Sequence, residues 1–232
     1  AVQAAVGGSE IANFAKHEFS GQGARAYLDT ILAGYLPKPG RLTLTPMLTP
    51  TGRLYGDLTV ACLDEQRFIL FGSGAMQEAH RRWFEKDLPD DVTYRNASDD
   101  WHGIALSGPN SRELLSRITR EDMSAEVFRF RDLREAFIGG VPAIINRISF
   151  SGELGYEIYC RPQYLLRLSE AIEEAGADLG YRWYGSRALM SMRLEKGWGA
   201  WSLEFRPDFN AIESWMDAFI NWKIDFVGKA AT

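Results

Sequence analysis

Two carboxylates interrupt apolar runs with strand character: Glu157 in "SGELGYEIYC" (151–160) and Asp57 in "LYGDLTVACL" (54–63). Side chains alternate faces along an extended segment, so Glu157 and Tyr159 share one face while Tyr156, Ile158 and Cys160 share the other. An ionised carboxylate offers two acceptor oxygens and no donor. Glu157 therefore either lies on a wetted face or meets a partner with adjacent N–H groups. A guanidine-like 2-amino-pyrimidinone edge would match it in the way a carboxylate matches arginine. Asp57 shares its face with Thr59, opposite Leu58 and Val60. It is either a solvated carboxylate or one that lines a cavity, where it could orient or deprotonate an amine. Glu153 falls at the Ser151-Gly152 turn and reads as exposed.

Other reactive residue types give weaker patterns. Arg193 and Glu195 in "MSMRLEKG" are two apart on a helix and do not share a face, and Arg187 precedes Arg193 by six. These arginines fit a solvated helix face. Trp198, Trp201 and Phe205 could be core or a stacking wall for a flat ligand. "FGSG" and "SGPNS" match neither a phosphate loop nor a dinucleotide fingerprint. His17, His80, His102, Cys62 and Cys160 show no metal-ligand spacing, so no metal is expected. No Ser/His/Asp arrangement is legible.

These residues need elements to hold them. "GARAYLDTILAG" predicts a helix with Ala24, Tyr27, Leu28, Ile31 and Leu32 on one face, ending at Gly34. Strands are expected at 41–48, 54–63 and 67–74. A helix over 75–89 is expected to turn Met76, Ala79, Trp83 and Leu88 inward. "WHGIALSGPNSRELLSRIT" reads as strand, turn and helix, with Ser111 as N-cap. Residues 128–150 read as two strands around Gly139-Gly140. Helices follow at 162–180, with Leu165, Leu168 and Ile172 apolar, and at 184–197, closing on Gly197. The mixed order predicts an α+β fold with antiparallel hairpins.

The chain has 232 residues, enough to bury a core without disulfides or metals. Its net charge of −5 and lack of a basic tract argue against nucleic acid or an acidic membrane surface as partner. No apolar run approaches the ~18 residues of a membrane span. Two thiols in apolar runs fit a reduced compartment. The opening "AVQAAVGG" and closing "DFVGKAAT" read as the ends of a piece of a longer protein.

"NFAKHEFSGQGARAYLDTILA", "TPMLTPTGRLYGDLTVACL", "ALSGPNSRELLSRIT", "RISFSGELGYEIYC" and "ALMSMRLEKGWGAW" occur in that order. Together they resemble the tetrahydrofolate-binding domain of the glycine-cleavage T-protein (aminomethyltransferase) family, which is shared by the C-terminal parts of dimethylglycine and sarcosine dehydrogenases. The specific pair is "TGE-x-G-x-E", here "SGELGYE", followed by "LRLE-x-G", here "MRLEKG". "MLTPTGRLYGDLTV" looks closer to the dehydrogenase branch. The T-protein has two acidic residues there; Asp57 matches the second and Gly56 stands at the first. Phe150 stands where the family often has Tyr, and Leu189 where the T-protein has Arg.

The resemblance implies two interleaved α+β lobes with antiparallel sheets and packed helices, 1–41 with 141–232 forming one and 42–140 the other. It implies transfer of a methylene or aminomethyl unit from an N-methylated amine or amino acid to tetrahydrofolate, giving methylenetetrahydrofolate. Asp57 would be catalytic. Glu157, Tyr156, Arg193, Trp201 and Phe150 would bind the folate, with Glu157 on the N–H edge of the pterin. FAD would belong to a flavin oxidase domain upstream on a longer chain; that domain and the family's C-terminal barrel are absent from this sequence. The compartment implied is the cytoplasm, or the mitochondrial matrix in a eukaryote. Two alternatives remain at this point: methyl transfer from a sulfonium donor such as dimethylsulfoniopropionate, and a folate-binding regulatory module. Iron–sulfur-related members of the fold carry a Cys-containing "KGCYTGQE", and this chain has no Cys in the matching stretch.

Overall fold

The computed structural model describes residues 2–232. Its contacts divide the chain into two units. One joins the N-terminal residues through Ala12 to Asp99–Trp198; the other joins Asn13–Ser98 to Gly199–Thr232. The exchanges thus fall after Ala12, Ser98 and Trp198 rather than near 41 and 140. The reason lies in two N-terminal strands that the sequence reading did not assign. β1 (Val6–Glu10) pairs within the first unit, and β2 (Ala15–Ser20) pairs within the second.

The first unit is built on a six-stranded sheet. It contains β1, β7 (His102–Ser107), β8 (Leu133–Ile138), β9 (Val141–Asn146), β10 (Gly155–Cys160) and β11 (Tyr181–Trp183). Their order is β11-β1-β7-β10-β9-β8, antiparallel throughout except for the β1–β11 pair. Gly139 and Gly140 both take positive φ (58° and 82°), the backbone of a tight hairpin between β8 and β9. Helices α3 (Ser111–Ile118) and α4 (Leu165–Gly176) supply Leu114, Leu115, Leu168 and Ile172 to a core that takes Ile104, Leu106, Ile145, Tyr156, Ile158 and Cys160 from the strands. Ser111 is the first residue of α3 rather than its cap; its single O–H is shared between the Gly108 and Leu154 carbonyls, at 2.6 and 2.9 Å. Helix α5 (Ser186–Lys196) ends on Gly197 at φ 75°, as its sequence predicts.

The second unit holds a five-stranded antiparallel sheet. Its order is β3-β4-β5-β2-β6, with β3 (Arg41–Leu48), β4 (Leu54–Asp64), β5 (Arg67–Gly72) and β6 (Thr93–Asn96). Pro46 sits on edge strand β3, where a missing N–H is tolerated. Helix α1 (Ala24–Ile31) buries the expected Ala24, Tyr27, Leu28 and Ile31. It stops before Gly34 because Leu32 is extended and Ala33 N–H is drawn to the Pro46 carbonyl. Helix α2 (Gln77–Lys86) fully buries His80 and Phe84. The expected inward residues Met76, Ala79 and Trp83 are only half-buried, so the buried face is rotated by one position. Residues 199–232 carry turns and short 3₁₀ segments, joined to the sheet through contacts such as Leu54 N–H to the Phe209 carbonyl.

Candidate functional site

In the first unit, β10 presents Glu157 and Tyr159 on the sheet face away from the helices. Tyr156, Ile158 and Cys160 enter the core on the other face. Tyr159 is fully buried and its hydroxyl donates to Glu157 Oε2 at 2.9 Å. Glu157 itself is half-buried. Its registered neighbours are Ala105 on β7 and Asn146 on β9. Cross-strand partners share a face, so Asn146 lies beside Glu157.

Glycines let the surrounding residues pack close. A Cβ on Gly7 would stand 2.7 Å from Tyr184 Cδ1, and one on Gly155 would stand 2.6 Å from Ser149 Cβ. Tyr184 donates to Ser107 Oγ at 3.1 Å, and Lys196 Nζ donates to the Ser149 carbonyl at 2.9 Å. Burial, with the Glu157 charge adding to it, holds the Tyr159 phenol well above its usual range. Burial also raises Tyr184, against the Ser107 hydrogen bond and with the help of Glu157. Burial lowers Lys196, against the pull of Glu157. The result is a carboxylate with one oxygen fixed by a phenol, ringed by groups that sense its charge.

The remaining sequence-predicted residues of this unit divide. Tyr156 is a core residue, stacked on Phe128 at 5.9 Å with the Arg147 guanidinium 5.0 Å from its ring centroid. It faces opposite Glu157, because strand alternation separates neighbouring side chains, and it enters the helix-packed core. Arg193 is buried on α5 and gives Nη1–H to the Trp198 carbonyl at 2.9 Å, fastening the chain after the helix. That corrects the reading of it as a solvated, snorkelling side chain. Phe150 is half-buried in the bend between β9 and β10.

In the second unit, β4 turns Leu58, Val60 and Cys62 into the core and leaves Asp57 half-buried opposite them, registered with Pro46. Although its surface is partly open, its carboxyl is surrounded deeply enough that burial pushes its pKa up to about 7, against a hydrogen bond from its own backbone. A carboxylate tuned there can hold or release a proton near neutrality. A register shift opposite Met47/Leu48 makes a bulge just before Asp57. Next to it, Gly56, which stands at the first acidic position of the T-protein pair, packs tightly against His80. A Cβ there would stand 3.2 Å from His80 Cε1 and Nε2.

Behind the strand lies a histidine pair that the sequence reading did not single out. His80 Nε2–H donates to the Tyr55 carbonyl at 2.8 Å, and His17 Nδ1 meets the Tyr94 hydroxyl at 2.9 Å. Their ring centroids are 6.0 Å apart, with His17 Nε2 and His80 Nδ1 buried and unpartnered. Burial, with His80 adding to it, draws His17 down to about 3; burial also lowers His80, against the Tyr55 hydrogen bond. Trp201 stands edge-on to His80 at 6.4 Å. Among the described residues there is no cluster of His, Cys, Asp or Glu able to hold a metal ion, and no helix long and apolar enough to cross a membrane. An open groove of about 590 Å³ between Pro50, Trp222, Phe226 and Lys229 contains none of the predicted site residues.

Two α+β units on largely antiparallel sheets, interleaved in sequence, define an aminomethyltransferase-type fold. The chain has a TM-score of 0.85 to glycine cleavage system aminomethyltransferase T from Bartonella henselae, at 22% identity, covering 99% of this chain and 63% of that one. The chain belongs to the GCVT family: the model of the GCVT N-terminal domain matches residues 1–224. It is 35% identical over 229 residues to mitochondrial dimethylglycine dehydrogenase of Homo sapiens, covering 96% of this chain and 26% of that protein. It is 37% identical over 232 residues to the Rattus norvegicus protein of the same name, covering 97% and 27%. An aminomethyltransferase of Natranaerobius thermophilus is 30% identical over 194 residues, covering 83% of this chain and 53% of that protein. The chain thus spans about a quarter of the length of the two dehydrogenases.

Proposed function

We propose that this chain is the tetrahydrofolate-binding part of a one-carbon transferase. The unit it accepts comes from an N-methylated amine or amino acid of the dimethylglycine or sarcosine type. The observation that carries this reading is Glu157: a half-buried carboxylate, one oxygen fixed by Tyr159, on the sheet face away from the helices; the family resemblance assigns the last acid of this motif to the pterin. The greater identity to dimethylglycine dehydrogenases than to the aminomethyltransferase supports the choice of donor.

The residues fit the ligand. Glu157 accepts from adjacent ring N–H groups, and Tyr159 keeps its carboxyl from turning away. Tetrahydrofolate, when bound, supplies the nitrogens that take up the one-carbon unit. Asp57 holds the proton that leaves nitrogen as the new N–C bond forms, and its position near neutrality suits either protonation state. The departing amine takes that proton from Asp57 as its own bond to the carbon breaks. The unit arrives already oxidised, as an iminium made by a flavin oxidase domain on the same longer chain, so no electron transfer is asked of these residues. The contribution of the protein is placement and charge. The two cysteines, buried and free, suit a reducing compartment, the cytoplasm or the mitochondrial matrix.

Calorimetric titration with tetrahydrofolate tests the reading. Wild type should bind, and Glu157→Ala should bind about ten- to hundred-fold more weakly, the worth of one charge-assisted anchor. Absence of wild-type binding would overturn the proposal.

A further inference from the structure

Asn146 is fully buried at the end of β9, and neither its side-chain oxygen nor its side-chain nitrogen has a hydrogen-bond partner. A buried primary amide left this way is costly, and native proteins rarely tolerate both atoms unmet without a use for them. Two observations say what that use is. Asn146 and Glu157 are directly registered on adjacent strands, so their side chains leave the same face at neighbouring positions. Ile145, the preceding residue, enters the core on the opposite face. Glu157 is half-buried while Asn146 is fully buried, so the amide lies deeper on that face than the carboxyl. The other oxygen-bearing neighbour, Tyr159, is already committed to Glu157.

We propose that Asn146 is a specificity-determining residue that reads the carbonyl next to the N–H groups held by Glu157. This rests on the reading of Glu157 as the anchor of a 2-amino-4-oxo ring. Along such an edge the exocyclic amine and the ring N–H are donors and the adjacent carbonyl is an acceptor. A carboxylate satisfies the two donors and can do nothing for the acceptor. A neutral amide one strand away supplies the missing donor without adding charge. Aspartate there would face the carbonyl with a like partner, and an apolar residue would leave it desolvated and unpaired. Recognition by a buried polar group rejects ligands lacking the matching atom far better than apolar contact does.

The inference predicts effects of opposite sign on stability and on binding, which a purely structural amide would not give. Asn146→Leu replaces an unsatisfied amide by an apolar group of similar size. The ligand-free protein should melt at the same temperature or a few degrees higher. Tetrahydrofolate titrated calorimetrically should bind about three- to ten-fold more weakly. Asn146→Ala serves as the second variant, showing the same weakening should leucine perturb the strands. Loss of binding in both variants, with melting unchanged or raised in Asn146→Leu, is the expected result. Unchanged binding in both, while Glu157→Ala loses it, would overturn this inference and leave the anchor in place. Wild type that fails to bind would overturn both.

Discussion

The Tyr159 hydroxyl donates to Glu157 Oε2 at 2.9 Å, from two residues further along the same strand and the same face. One member is fully buried and the other half-buried, so the buried phenol aims a carboxylate that remains accessible. Tyr159→Phe keeps the ring and removes the donor. A hydrogen bond to an ionised group is worth about 1.5–3 kcal/mol. Part of that should appear as lost stability, read by urea unfolding, and part as several-fold weaker tetrahydrofolate binding. Unfolding and binding both equal to wild type would show that the phenol does not orient the acid.

The same pair depends on a missing side chain. Gly103 is registered with Tyr159, and a Cβ on it would stand 2.7 Å from Tyr159 Cδ1. A ring locked between strands cannot yield that distance freely, so Gly103→Ala should cost about 1–3 kcal/mol as overpacking. It should also weaken ligand binding as Tyr159→Phe does, because it displaces the phenol rather than deleting it. In the double variant Gly103→Ala/Tyr159→Phe the two binding losses should not add. Additive losses would place the glycine's effect elsewhere.

Asp57 makes a prediction on rate. With its carboxyl raised to about 7, it gains a proton as pH falls through neutrality. If the ionised form takes the proton released from nitrogen, transfer should rise with pH through an apparent pKa near 7 and level off above it. Asp57→Asn should flatten that limb and slow transfer by about 10²–10⁴-fold. A profile with the same limb in the variant would assign the titration to another group.

How much of this was legible depended on which physical rule fixed each residue. Strand alternation alone put Glu157 and Tyr159 on one face, and it equally put Tyr156 on the other; the structure buries Tyr156 against Phe128. The face of α1 followed from its spacing, but its end did not, because Pro46 on another strand captures the next N–H. β1, "VGGSE", has too few side chains to read as a strand, yet it is paired on both sides. Asn146 could not be placed beside Glu157 without the β9–β10 register. His80 was hidden by its polarity. A histidine reads as outward on a helix until the Tyr55 carbonyl is found to satisfy it. The aromatic run after α5 left core and ligand wall open, and in the structure Trp201 stands against His80.

The buried imidazoles and Asp57 make opposite contributions to stability as pH changes. His17 has an ordinary value of 6.5 and about 3 in the folded chain. Between those values the unfolded chain binds more protons, so stability is lost as pH falls from 6.5 toward 3, by up to about 1.4 kcal/mol per pH unit. His80 is shifted in the same direction. Asp57 moves from 3.8 to about 7, so in that window the folded chain binds more protons and stability is lost as pH rises. Between 3.8 and 6.5 the slopes oppose and wild type should look flatter than either group alone would make it. Urea unfolding from pH 4 to 8 separates them. The stability difference between wild type and His17→Leu should shift toward the variant as pH drops below 6.5. The difference for Asp57→Asn should shift toward the variant as pH rises toward 7. Parallel curves for His17→Leu and wild type would mean that the imidazole is not held neutral by burial. The same result for Asp57→Asn would remove the basis for a carboxyl poised near neutrality.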